Sequence, residues 1–207
     1  MQEKMNNSQL FNSIYNCDPW QDDFEESLRA HKFIDPKKAW QNIITLSSQS
    51  NFQGLFPEFF NSFIKLVASS YHPDLALHNF ERFTRTINDK NYLYTILSNY
   101  PETLKSIIVL FSGSQVLTDS MLSDPSFFDW INNSKIINNQ RSKDEFMRTY
   151  YKFSGGKYLN NNTHQMLRKF KKREYIRIGL RDLLGKTDFE ETGRDLSFLA
   201  DLSLQVA

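Results

Sequence analysis

Apolar residues recur along this chain at steps of three and four, and two-residue alternation never persists long enough to argue for a strand. The pattern predicts helices over roughly 22–32, 36–48, 55–70, 73–87, 90–98, 101–111, 114–122, 125–133, 142–153, 162–184 and 188–205. Proline marks four of the starts, at Asp35-Pro36, His72-Pro73, Tyr100-Pro101 and Asp124-Pro125. Its fixed φ and missing N–H suit a first helical turn, where that donor would have no intrahelical partner. The predicted fold class is all-α, a multi-helix array or bundle of short antiparallel helices that ends in two long ones. No fixed-period repeat supports a solenoid.

Residues 1–21 are expected to form a loosely packed N-terminus, 22–72 a first set of helices, and 73–207 a second helical region able to form one domain with 22–72. Two joints interrupt the periodicity. The polar stretch from Ile131 to Ser142 reads as a surface loop, and Ser154 to Asn162 reads as a break, after which Thr163 is placed to cap the long helix.

The two long helices meet at Gly185-Lys186-Thr187. In the first, Met166, Phe170, Ile176, Leu180 and Leu184 roughly mark an apolar strip, which Leu167, Tyr175, Ile178 and Leu183 widen. Arg168, Lys169, Lys171 and Lys172 lie mostly outside it and form a candidate interaction surface. Arg173 interrupts the strip. Glu174 is spaced to meet Arg177, and Arg177 lies one turn before Arg181. With Asp182 these residues are candidate structural ion pairs, because an unpaired buried charge is costly. Two readings stand side by side: a charged face with internal pairs, or a docking surface for a domain, protein or phosphate-bearing ligand.

Composition narrows the partners. Lys plus Arg total 25 against 24 for Asp plus Glu, and the net charge of +1 gives no general attraction to nucleic acid or an anionic membrane. The 18 Phe and 9 Tyr predict an aromatic-rich core. Cys17 is alone, which excludes an internal disulfide and a cysteine zinc site and fits a reducing cytoplasm. No apolar run approaches the ~20 residues that span a bilayer, and the N-terminus lacks the apolar segment of a secretory signal. A soluble, cytoplasmic chain without nucleic-acid or membrane partners is expected.

Candidate chemistry is sparse. Ser154-Gly155-Gly156-Lys157 lacks the strand and the spacing of a phosphate loop. His31, His72, His78 and His164 are scattered and lack metal-ligand spacing. Asp22-Asp23, Glu25-Glu26 and Glu190-Glu191 crowd helix starts, where the helix dipole favours acids. Gly113-Ser114 opens the phosphate motif of many nucleotidyltransferases, but the two carboxylates that should follow one residue apart, to hold Mg²⁺, are missing, so Ser114 reads as an N-cap. No catalytic, cofactor-binding or metal residue is assigned, and whether the chain is an enzyme stays open.

Three blocks in order carry a resemblance. PDLALHNFERF at Pro73–Phe83 is followed by FSGSQVL at Phe111–Leu117 with Asp124-Pro125 and Phe128-Asp129-Trp130. LRKFKKREYIRIGLRDLLG at Leu167–Gly185 leads into Glu190-Glu191-Thr192 and Asp195–Asp201 (DLSFLAD). Together they resemble the N-terminal helical part of the glutamine synthetase adenylyltransferases (glutamate–ammonia ligase adenylyltransferases). That resemblance implies a parent enzyme with two nucleotidyltransferase heads. One uses ATP and Mg²⁺ to attach AMP to a tyrosine of glutamine synthetase, and the other removes it by phosphorolysis, under a PII signalling protein, in the regulation of nitrogen metabolism. The family's catalytic stretch, Gly-Lys-Leu-Gly-Gly-x-Glu-Leu-Asn leading to Ser-Asp-Ile-Asp, has no match here. The expectation is therefore a fragment or truncated relative that packs on the catalytic domain of its own polypeptide. The alternative is a stand-alone helical adaptor that docks a protein through the basic helix 164–184.

Overall fold

The computed structural model describes residues 20–48, 56–156 and 162–206. The expected loose N-terminus before Trp20, Cys17 and most of the joint before Thr163 lie outside them. Among the described residues there are twelve α-helices and no strand, an all-α arrangement. The chain divides into two compact units, Met1–Thr118 and Asp119–Ala207.

The first unit contains α1 (Asp22–Ala30), α2 (Pro36–Ser48), α3 (Phe56–Ser69), α4 (Pro73–Thr86), α5 (Lys90–Asn99) and α6 (Pro101–Gly113), and α7 (Gln115–Ser123) begins within it. Pro36, Pro73 and Pro101 occupy first-turn positions, as the sequence predicts. Asp89 caps α5 by accepting from the Tyr92 N–H at 2.9 Å, and Ser114 accepts from the Leu117 N–H at 3.4 Å. Helix α4 lies centrally because Ala76, Leu77, Phe80 and Phe83 bury one face against α2, α3 and α6. The core is aromatic: Phe63 lies 4.5 Å from Phe80, Phe59 5.2 Å from Tyr94, and Phe24 stacks on Trp40 at 4.2 Å. Each such pair adds about 0.5–1.5 kcal/mol beyond its buried area. Helix α1 ends earlier than expected, at Ala30, because Lys32 adopts a left-handed φ of 66° while the Phe33 N–H reaches back to the Leu28 carbonyl.

The second unit is built on α8 (Ser126–Ile131), α9 (Ser134–Asn138), α10 (Lys143–Phe153), α11 (Thr163–Leu183) and α12 (Phe189–Val206). The stretch read as a surface loop holds a five-residue helix instead, α9, whose Ile137 is buried. Polar composition hid it, since a single apolar side chain suffices to seat one helical turn. Ser142 and Glu145 form a reciprocal capping box at the start of α10. Phe146 and Tyr150 of α10, Leu167, Phe170 and Ile178 of α11, and Leu199, Leu202 and Val206 of α12 make the apolar core. Helix α11 ends on Gly185, whose φ of 65° lets the Lys186 N–H bond the Arg181 carbonyl at 2.9 Å.

Candidate functional site

The inward face of α11 repeats at steps of four and three through Thr163, Leu167, Phe170, Glu174, Arg177 and Arg181. Its first half is largely apolar. Its second half places three charges in the slots that a helical pair fills with leucine. The apolar strip expected through Ile176 and Leu180 is also buried, so this half of the helix is enclosed on more than one side.

Those charges meet partners of opposite sign. Arg177 is 0 % exposed; its Nε donates to Glu174 Oε2 at 2.7 Å and its Nη2 to Asp195 Oδ2 at 2.6 Å. The other Glu174 oxygen accepts from Arg141 Nη1. Arg181 donates to the Ile137 carbonyl at 2.8 Å and to Glu191 Oε1 at 2.6 Å. Arg177–Asp195 and Arg181–Glu191 lie symmetrically about Lys186, so α11 and α12 pair antiparallel with charges in register. The Phe146 ring lies 5.2 Å from the Arg177 guanidinium and 6.0 Å from that of Arg141.

Two of the sequence-assigned pair members differ. Arg173 makes no ion pair among the described residues; its guanidinium lies 4.3 Å from the Trp130 ring and 5.2 Å from Phe153. It precedes Glu174 and so points to the flank of the stripe, where aromatic faces are the available neighbours. Burial pulls its pKa down to about 10, with Glu174 opposing the shift and Arg141 adding to it. Asp182 is exposed, because five residues past Arg177 put it about 140° around the helix.

The four outer basic residues divide into two pairs. Lys169 binds Asp124 at 2.7 Å, and Lys172 donates to Ser123 Oγ at 3.3 Å. Burial raises the Asp124 pKa, but the Lys169 and Ser126 hydrogen bonds outweigh it, and the net shift is downward. Arg168 is exposed and Lys171 half-buried, and neither has a hydrogen-bond or ion-pair partner among the described residues.

Sequence reasoning missed Arg141, Asp195 and Glu191. A signal existed for two of them: Asp195 shares the four-and-three stripe of Leu199, Leu202 and Val206, and Glu191 lies one turn before it. Acids in that stripe are the complement of Arg177 and Arg181. The Ser154-Gly155-Gly156 segment proves to be the end of α10, with both glycines at positive φ and the Gly156 N–H on the Tyr151 carbonyl at 2.8 Å. A helix C-terminus repels phosphate. Among the described residues no group of three or more His, Cys, Asp or Glu side chains converges as a metal site, and no helix is long and apolar enough to cross a membrane.

The last helix also has a second apolar face. Phe189, Leu196 and Leu204 are 90 %, 41 % and 82 % exposed, with the exposed small residues Gly193 and Ala200 between them on one side of α12. The buried stripe lies on the other side.

The architecture is that of an all-α module whose most charged helix is tied into its own fold. The model of the family described as glutamate-ammonia ligase adenylyltransferase matches residues 104–207, and the chain belongs to that family. It is 25% identical over 149 residues to the bifunctional glutamine synthetase adenylyltransferase/adenylyl-removing enzyme of Agrobacterium fabrum, and 25% identical over 144 residues to the enzyme so named of Rhizobium meliloti. Each match covers 70% of this chain and 15% of the relative, so the chain corresponds to a small part of those proteins. No solved structure matches it significantly.

Proposed function

We propose that this chain is a cytoplasmic, non-catalytic helical module of a glutamine synthetase adenylyltransferase, packed against the nucleotidyltransferase segment through the outward face of α12. In this reading the parent enzyme moves AMP from ATP to a glutamine synthetase tyrosine and removes it by phosphorolysis, under a PII signalling protein. The observation that carries the reading is the unpartnered stripe Phe189, Leu196 and Leu204 on a helix whose opposite face is already buried. The matched region is 15% of the relatives' length, so most of their chain is available to cover that stripe. ATP and Mg²⁺ are assigned to the nucleotidyltransferase segment. The buried carboxylates of the second unit, Glu174 and Asp195, are committed to arginines, which suits a scaffold rather than a metal site.

A second reading, a stand-alone adaptor that docks through the basic helix, draws on Arg168 and Lys171 alone, because Lys169 and Lys172 already have internal partners. One assay tests the non-catalytic assignment that both readings share, and a second separates them. Incubated with glutamine synthetase, Mg²⁺ and ATP labelled in its α-phosphate, the chain leaves glutamine synthetase unlabelled; incorporation of label overturns the non-catalytic assignment. Co-purification with the nucleotidyltransferase segment of the Agrobacterium relative is lost in Leu196→Asp/Leu204→Asp and kept in Arg168→Glu/Lys171→Glu. The reverse pattern supports the adaptor.

A further inference from the structure

The first unit holds a cavity of about 380 Å³ between the α1–α2 turn, the start of α2 and the start of α4. Ile34, Ala39 and Leu75 give it an apolar wall. Its polar groups fall into two sets. The carboxylates are engaged: Asp74 accepts from the Ile34 and Asp35 N–H groups at 2.8 and 3.0 Å, and Asp35 Oδ1 accepts from the Lys38 N–H at 3.1 Å. These bonds fix the turn before α2 to the start of α4. The second set is uncommitted. Lys38 and Asn42, one turn apart on α2, and His78, one turn beyond Asp74 on α4, line the same space. None of their side chains has a hydrogen-bond partner among the described residues.

We propose that this cavity binds a small organic monoanion, a carboxylate on an apolar body, with the carboxylate between Lys38, Asn42 and His78 and the body against Ile34, Ala39 and Leu75. Volume and lining match small-ligand sites, which are mostly apolar with a few convergent polar groups. Charge selects the class. At His78 the cations Lys38, Arg82 and Arg85 outweigh Glu81, and the N–H groups at the starts of α2 and α4 offset part of the charge of Asp35 and Asp74, which suits one negative charge and disfavours a dianion such as a phosphate monoester. The His78 pKa is lowered by burial first, then by Lys38 from α2 and by Arg82 and Arg85 on its own helix, with Glu81 opposing. An anion beside Lys38 cancels its repulsion, so occupancy raises the His78 pKa and strengthens the contact as pH falls.

The test uses the whole chain and benzoate as the probe, with the His78 ring signals followed by NMR. A ligand of this size in such a site binds with a Kd on the order of 1 mM. We expect saturable shifts at His78, a rise in its pKa with benzoate, about three- to fivefold weaker binding in Lys38→Met, and weaker binding of phenyl phosphate and of the neutral isostere benzamide. Lys38 is exposed, so its removal leaves the fold intact. Equal binding of benzamide, unchanged affinity in Lys38→Met, stronger binding of phenyl phosphate, or no saturable shift each overturns the proposal.

Discussion

Replacing Glu174 by Gln removes one negative charge from the buried cluster and keeps the side chain's shape. The four charges of Arg141, Arg177, Glu174 and Asp195 balance, and Glu174 contacts both arginines. At an effective dielectric constant of about 20, each contact at ~4 Å contributes about 4 kcal/mol, so about 8 kcal/mol of attraction is lost. Part returns, because the carboxylate no longer has to be stripped of water at a cost of several kcal/mol. The remainder is about 3–5 kcal/mol, the usual cost of breaking a buried pair. Arg141 retains 12 % side-chain exposure and relaxes toward solvent, whereas Arg177 has none and bears most of the loss. Urea unfolding followed by Trp130 fluorescence, in a Trp20→Phe/Trp40→Phe background, isolates the second unit, since the two replaced tryptophans belong to the first. A double-mutant cycle with Arg141→Gln is expected to show the second change costing less once Glu174 is gone. A loss below about 1 kcal/mol for Glu174→Gln, the level of a surface pair, refutes the reasoning.

Other outcomes follow from local geometry. Gly185→Ala forces a side chain into a left-handed φ of 65° at the end of α11 and is expected to lower stability by about 1 kcal/mol in the same urea assay. Lys32→Gly relieves the same conformation at the end of α1, and thermal unfolding of the first unit is expected to show a gain of about 0.5–1 kcal/mol. Asp124 has a depressed pKa in the folded chain, so its contribution is present above the ordinary aspartate value and lost as pH falls through the folded value. Asp124→Asn is therefore expected to lower the melting temperature near neutrality and to flatten its acid limb, with the two chains converging below the folded pKa of Asp124. Converting Glu174, Arg177 and Asp195 together to Leu, Met and Leu is expected to leave stability unchanged or raised, since a packed apolar cluster needs no desolvation.

The all-α class was legible because periodicity survives in nearly every segment and proline marks the helix starts. The missed helix at Ser134–Asn138 has one buried apolar residue, too little to leave a pattern. For the charged helix, sequence spacing pointed to Glu174, Arg177 and Arg181. It could not supply Arg141, thirty-three residues away, or the Trp130 ring that takes Arg173. Both contacts depend on how α8, α9 and α10 return to α11, which helical periodicity does not encode. Asp195 was recoverable: an acid among Leu199, Leu202 and Val206 announces a buried cation on the neighbouring helix. The division of the basic residues was also hidden, because Lys169 and Lys172 reach Asp124 and Ser123, forty-five or more positions earlier in the chain.

The buried charges of α11 are turned into the fold rather than held for a partner. Hydrogen exchange at the arginine Nε–H groups, read by ¹⁵N NMR on the native chain, measures that directly. The Arg177 Nε–H, enclosed by Glu174, is expected to be protected by orders of magnitude relative to that of Arg168 and to exchange only when the second unit unfolds. Exchange of Arg177 as fast as Arg168 would place the cluster in water and contradict the account.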